Sequence, residues 1–180
     1  SVEYVRTSRT GSEIVHSYSL HPAASALAQT PTPLSPRLPY VVPDTGQTEC
    51  YGTAGGRIKP PSLGDALFGQ DAQYSGPQPA YRDNRDGTVS DANTGLMWVQ
   101  ARGAKVTWET AMAEAKACRA GGYTDWRVPT IKELYSLINF SGECRGPMTT
   151  SKPFLDTNYF HFAYGDVTKG ERPIDCQDWS

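Results

Sequence analysis

The chemistry-bearing side chains crowd most densely at Tyr159-Phe160-His161-Phe162-Ala163-Tyr164, with Asp156, Asn158 and Asp166 beside them. Exposed, such rings stack on sugar faces or anchor a protein partner, and the flanking carboxylates and amides bond hydroxyls. Buried, the same rings are core. The expected ligand surface is therefore Tyr159, His161, Tyr164, Asp156 and Asn158, within the loops of residues 142–178.

A second oxygen-rich cluster, Asp83, Asn84, Asp86 and Asp91, has the composition of a calcium loop. The D-x-[DN]-x-[DN]-G pattern is broken, because Arg82 takes the first acidic position and no glutamate follows at the EF-hand spacing. A hairpin turn with solvated acids accounts for the same residues. No cofactor is expected, with Ca²⁺ at Asp83, Asp86 and Asp91 as the alternative. His16, His21 and His161 are scattered and imply no metal cluster. No nucleophile and base are brought together by motif, so no enzyme is expected.

Four cysteines, Cys50, Cys118, Cys144 and Cys176, share no CxxC spacing. That argues against a zinc knuckle, a thioredoxin motif or a haem attachment. In a loop-rich chain they suggest two disulfides and an oxidising compartment, four buried thiols being the alternative. Three connectivities are possible. Cys144–Cys176 with Cys50–Cys118 is favoured, since the first pair shares the loop-rich last third.

The bulk numbers narrow the partners. The 180 residues carry 17 Lys and Arg against 19 Asp and Glu, a net charge of −2, with no block of one sign. A nucleic-acid binder would show a basic stripe, and there is none. Attraction to anionic lipid by charge is equally unsupported. No apolar run approaches the roughly 20 residues that cross a bilayer. Ala24-Ser25-Ala26-Leu27-Ala28 faintly resembles a signal-peptidase site, but no apolar region precedes it. With 17 Gly and 14 Pro much of the backbone is turn and loop, while 4 Trp, 10 Tyr and 5 Phe supply buriable faces.

Three regions follow. Residues 1–43 read as a Pro/Ser/Thr-rich extended arm, with Pro31, Pro33, Pro36, Pro39 and Pro43 recurring too often for a helix. Val2–Val5 and Glu13–Tyr18 can each add a short strand to a sheet edge. Residues 44–80 are a loop-rich lead-in, pinned by Cys50 and its aromatics. Residues 81–180 are the domain proper.

In that domain, Asp86-Gly87 turns a hairpin over residues 81–89, and Asn93-Thr94-Gly95 turns into the strand Leu96–Val99. Thr107 caps a helix over Trp108–Arg119, whose Trp108, Ala111, Met112, Ala115 and Cys118 share one face. Gly121-Gly122 stops it. Thr130 and Glu133 form a capping box for a second helix with Ile131, Leu134, Tyr135 and Ile138 inward. Between the helices, Trp126 reads as core and Arg127 as the partner of Asp125 or Glu133. Asp125, Trp126, Arg127, Pro129, Thr130 and Glu133 are thus a structural motif. The fold class is α+β, two short helices on small antiparallel sheets with long loops.

The run from Gly121 to Leu134, with Tyr123-Thr124-Asp125-Trp126-Arg127-Val128-Pro129-Thr130 at its heart, closely resembles the signature of the Lcl-C family. This is the C-terminal domain of bacterial collagen-like adhesins, a domain of unknown function. Asp83–Val89 looks like that family's opening hairpin, Thr94–Trp98 its next strand, and Trp179-Ser180 the start of its WSS-type motif. The resemblance covers residues 81–180. It implies a secreted, periplasmic or cell-surface binding module, with glycan as the ligand class or a surface protein as partner. The family continues past the WSS-type motif with strands that close the sheet. Their lack here suggests a fragment, or an oligomer or larger assembly that supplies them and pairs with the open edge. Arg127-Val128-Pro129-Thr130 also looks like a stretch of formylglycine-generating enzymes, which implies a C-type-lectin-like fold. The redox-active cysteine pair of those enzymes is not matched.

Overall fold

A computed structural model describes residues 4–7, 19–20, 41–146 and 148–180. Among the described residues, eight short strands and two α-helices run in the order β1 (Val5–Thr7), β2 (Ser19–Leu20), β3 (Cys50–Tyr51), β4 (Arg57–Ile58), β5 (Tyr74–Ser75), β6 (Tyr81–Asp83), β7 (Thr88–Asp91), β8 (Leu96–Val99), α1 (Trp108–Ala117) and α2 (Ile131–Tyr135). Short 3-10 turns and long loops fill the rest. The fold is α+β.

The central sheet is antiparallel, in the order β1-β8-β7-β6. Its β6–β7–β8 meander forms where the sequence predicts it. The Asp83 carboxylate accepts from the Arg85 amide at 2.7 Å, and Asp86 accepts from the amide (3.0 Å) and hydroxyl (2.6 Å) of Thr88. Asp91 accepts from the Asn93 amide at 2.9 Å and from the Thr94 hydroxyl at 2.7 Å. All three acids of the calcium alternative are thus engaged in closing their own turns.

Strand β8 is apolar throughout because both faces of the sheet are covered. Met97 faces a cluster of Tyr4, Ala111, Ala115 and Trp126. Leu96 and Trp98 face the opposite cluster of Val5, Val89, Leu137 and Phe160. Helix α1 therefore packs on one face, and the turn following α2 packs on the other.

The N-terminal strand belongs to this core. Val5 pairs with Trp98 across β8, and on its other side exchanges two backbone hydrogen bonds with Arg127, at 3.0 and 3.1 Å. Its side chain is fully buried, and Val41 and Pro43 at the far end of the arm are buried. The strand expected over Val2–Val5 lies at Val5–Thr7. The Pro31–Pro39 run, the Glu13–Tyr18 strand, His16 and His21 lie outside the described residues.

The lead-in is held differently from the expectation. Cys50 is buried, but Tyr51 and Tyr74 are exposed. Glutamines do the pinning instead. Gln70 accepts from the Tyr51 amide at 2.8 Å, and buried Gln73 donates to the Pro61 carbonyl at 2.7 Å. These amides satisfy backbone groups that a loop would otherwise leave unpaired.

The helices form where their caps place them. The Thr107 hydroxyl accepts from the Thr110 amide, and Thr130 and Glu133 make the reciprocal capping box. Helix α1 ends at Ala117, two residues short of the expected Arg119, because Cys118 is already extended; Gly121 and Gly122, at φ +59° and +78°, turn the chain in a separate 3-10 turn rather than stopping the helix. The helix faces need correction. Only Ala111 and Ala115 of α1 are buried, because a short helix on a narrow sheet presents a narrow stripe. Trp108 and Met112 lie outside it, and Trp108 packs edge-on against Trp179 at 5.9 Å. Ile131 and Tyr135 of α2 are exposed, Leu134 packs against the core as expected, and Leu137 just beyond the helix is buried in it.

Candidate functional site

The predicted aromatic segment is divided between the core and a surface cleft. Phe160 is buried and sets its ring edge-on to Tyr81 at 5.1 Å, with Tyr159 tilted against Tyr81 at 5.6 Å. Burial and the nearby carboxylates of Asp91 and Asp156 hold the Tyr81 phenol well above its ordinary pKa. The Asp156 carboxylate accepts from the Asn158 amide at 3.0 Å and side chain at 2.9 Å, closing the turn before Tyr159.

Beyond Phe160 the chain turns outward. The His161 amide donates to the Gln100 carbonyl at 2.9 Å, so residues 161–164 run beside the loop 101–105. A polar cleft of about 480 Å³ opens between them, lined by Lys105, His161, Asp166 and Glu171 among others. An apolar cavity of about 470 Å³ lies against α2 and the loops 143–155 and 173–178. Arg102, Phe162, Tyr164 and Cys176 line both and form the wall between them.

The wall is well anchored. Arg102, its side chain nearly buried, donates to the Cys176 carbonyl at 2.5 Å and pairs with Asp178. Its guanidinium lies 5.7 Å from the centre of the Phe162 ring. Phe162 meets Tyr164 edge-on at 4.9 Å. The Gly165 amide donates to the Pro173 carbonyl at 3.0 Å, and a β-carbon on Gly165 would run into the Arg172 carbonyl. Only glycine allows that approach. In the polar cleft Glu171 accepts from the Lys105 ammonium and, at 2.6 Å, from the Asp166 amide. The Lys105 ammonium is the main reason its carboxyl lies below the ordinary range. Asp166 is held low chiefly by the Thr168 hydroxyl.

Of the predicted ligand residues, His161 and Tyr164 thus share one cleft, while Tyr159, Asp156 and Asn158 do not line it. Arg102 and Lys105 carried no periodic or motif signal in the sequence. Their role comes from where the loop 101–105 lands.

The 125–133 motif divides its partners. Trp126 is buried and donates to the Ala120 carbonyl at 3.2 Å, and Pro129 is fully buried. Arg127 sets a two-pronged fork on Glu133 at 2.8 and 2.5 Å. Asp125 pairs instead with Arg6 at 2.7 and 3.1 Å, and that guanidinium sits 3.8 Å over the Tyr123 ring. The motif thereby holds the N-terminal strand in place.

The expected disulfides are absent. Cys50, Cys118, Cys144 and Cys176 are all free thiols. Cys118 packs against the α1 cluster, to which Cys50 does not belong. Cys144 and Cys176 line the apolar cavity from different loops. Among the described residues no group of three or more His, Cys, Asp or Glu could hold a metal, and no helix is long and apolar enough to cross a membrane.

The family model of the Lcl C-terminal domain matches residues 87–179, just over half of the chain. The chain belongs to the Lcl C-terminal domain family. No curated protein and no solved structure matches it. The family match holds the 125–133 motif, both helices and all four wall residues of the two clefts. It leaves out β1, although Val5 and Tyr4 complete the core of this Lcl C-terminal domain.

Proposed function

We propose that this Lcl C-terminal domain is a non-catalytic binding module of the bacterial cell surface or periplasm, and that its polar cleft takes a glycan. The observation that carries this reading is the set of aromatic, imidazole and paired charged groups lining one cleft on a packed core. His161, Phe162 and Tyr164 offer rings to a sugar face, while Lys105, Asp166 and Glu171 offer bonds to its hydroxyls. The cations of the cleft are engaged, Arg102 with Asp178, Lys105 with Glu171 and Lys169 with Asp166 at 3.3 Å. A neutral or weakly charged glycan suits that balance better than a polyanion.

A non-catalytic role is favoured by the isolation of His161. Its imidazole hydrogen-bonds to no hydroxyl or thiol among the described residues, so no base is set against a nucleophile. The surface location rests on the family, since free thiols remove the cysteine argument for an oxidising compartment. A C-type-lectin-like architecture is supported by two short helices flanking short sheets, with the clefts in long loops. The alternative of a structural subunit recruited through an open sheet edge is confined to the β6 side, because β1 occupies the β8 edge within the chain.

Screening the protein against neutral and sulfated oligosaccharides tests the reading. Saturable binding to neutral glycans is expected, weakened about tenfold by His161→Ala, the loss of one stacking or hydrogen-bonding contact. Glycans that bind the His161→Ala variant equally well, or no binding at all, would remove the polar cleft from consideration.

A further inference from the structure

The apolar cavity across the wall asks for a different ligand. Its volume of about 470 Å³ falls within the range of small-molecule sites, about 300–1,000 Å³. Ile131, Phe154 and Ile174 are each about half exposed, and all three line it. Together with Leu134, Ile138 and Leu155 they make a mainly aliphatic and aromatic lining, which offers sugar hydroxyls few partners away from its margin.

The charges at its margin are unequal in their engagement. Arg102 pairs with Asp178, and Glu143 pairs with Arg145. Lys152 is the exception. Its ammonium donates to the Ser141 hydroxyl at 2.8 Å and meets no carboxylate among the described residues. It is firmly placed, since Lys152 and Glu143 exchange backbone hydrogen bonds at 2.7 and 2.8 Å. The apolar wall beside it is placed too. The Phe154 ring packs so closely on Gly142 that a β-carbon there would lie 2.5 Å from it.

We propose that this cavity binds a free single-chain amphiphilic anion of the fatty-acid type, its tail among Ile131, Leu134, Phe154 and Ile174 and its carboxylate on Lys152. An apolar body is stabilised by leaving water. A carboxylate at Lys152 gives an ionic partner to the ammonium that now bonds, among the described residues, only the Ser141 hydroxyl, through a charge-assisted hydrogen bond. A neutral or cationic head would leave Lys152 uncompensated or repelled. The site lies on the far side of the Arg102–Tyr164 wall from His161, so it stands or falls independently of the glycan cleft.

Calorimetric titration of the full chain at pH 8, with decanoate, decanol and decyltrimethylammonium below their micellar concentrations, tests it. Decanoate is expected to saturate one site at least about tenfold more tightly than decyltrimethylammonium. Lys152→Met should reduce decanoate to the level of decanol. Ile174→Asp and Ile131→Asp, both at exposed positions and checked for fold by circular dichroism, should each abolish binding. His161→Ala should change nothing. Equal affinity for the anion and the cation, indifference to Lys152→Met, or no saturable site would overturn the proposal. So would binding to phosphatidylglycerol vesicles without binding to free decanoate, since that would mark a membrane surface as the ligand.

Discussion

Arg127 and Glu133 show how much one side-chain pair organises. Glu133 caps α2 through Thr130, receives the Arg127 fork, and so holds in place the segment that bonds Val5. Its carboxyl lies below the ordinary range near 4.5, first because Arg127 hydrogen-bonds the ionised form. A carboxylate whose folded pKa is depressed adds stability above the unfolded pKa, and that stability is lost as pH falls through the folded value. Glu133→Gln keeps the cap but removes the charge. It should cost about 1 kcal/mol or less at pH 7, as expected of a partly exposed pair. The difference from the unmodified protein should fade below about pH 4. Urea denaturation at pH 7 and pH 3 measures both, and an equal deficit at the two pH values would contradict the assignment.

At the level of elements, β1 is a strand of only three residues with a large consequence. It bonds β8 on one side and Arg127 on the other, and its two described neighbours in the core, Tyr4 and Val5, enter opposite clusters. Alternation across the strand explains that division. Burial, followed by the hydrogen bond to Glu114, pushes the Tyr4 phenol up to about 12. Val5→Ala should destabilise the fold by about 2 kcal/mol, read as a lowered urea midpoint at unchanged slope. A chain starting at Val41 should unfold without a sharp transition, since the β8 edge and both clusters lose their cover. A truncated chain as stable as the full one would mean that β1 is ornamental. The short helices teach the converse. Their caps were legible in Thr107 and in Thr130 with Glu133, while their faces were not. Apolar spacing marked Trp108, Met112 and Ile131 as inward, yet the first two lie beside the narrow buried stripe and the third opens on the cavity.

For the whole molecule, the cysteines are the plainest test of the architecture. All four are free, with Cys50 buried and Cys144 exposed. The intact mass without reductant should be that of four thiols. Native labelling should modify Cys144 first and reach Cys50 only on unfolding, because a thiol must be accessible to react. A mass four hydrogens lower would restore the disulfide reading. The residues decided by themselves the features whose causes are local. The Asp86-Gly87 turn and the N-terminal caps of both helices each depend on a few neighbouring backbone groups, and the sequence order contains those neighbours. The family signature at Tyr123–Thr130 is local in the same sense. Tertiary structure alone decided that Arg6 meets Asp125, that Arg102 stands between two clefts with Tyr164, and that Tyr159 and Phe160 turn inward while His161 turns out. Those partners lie tens of residues apart along the chain. Their meeting is set by which loops the packed sheet brings together, a choice driven by burial summed over the core and written in no single stretch of residues.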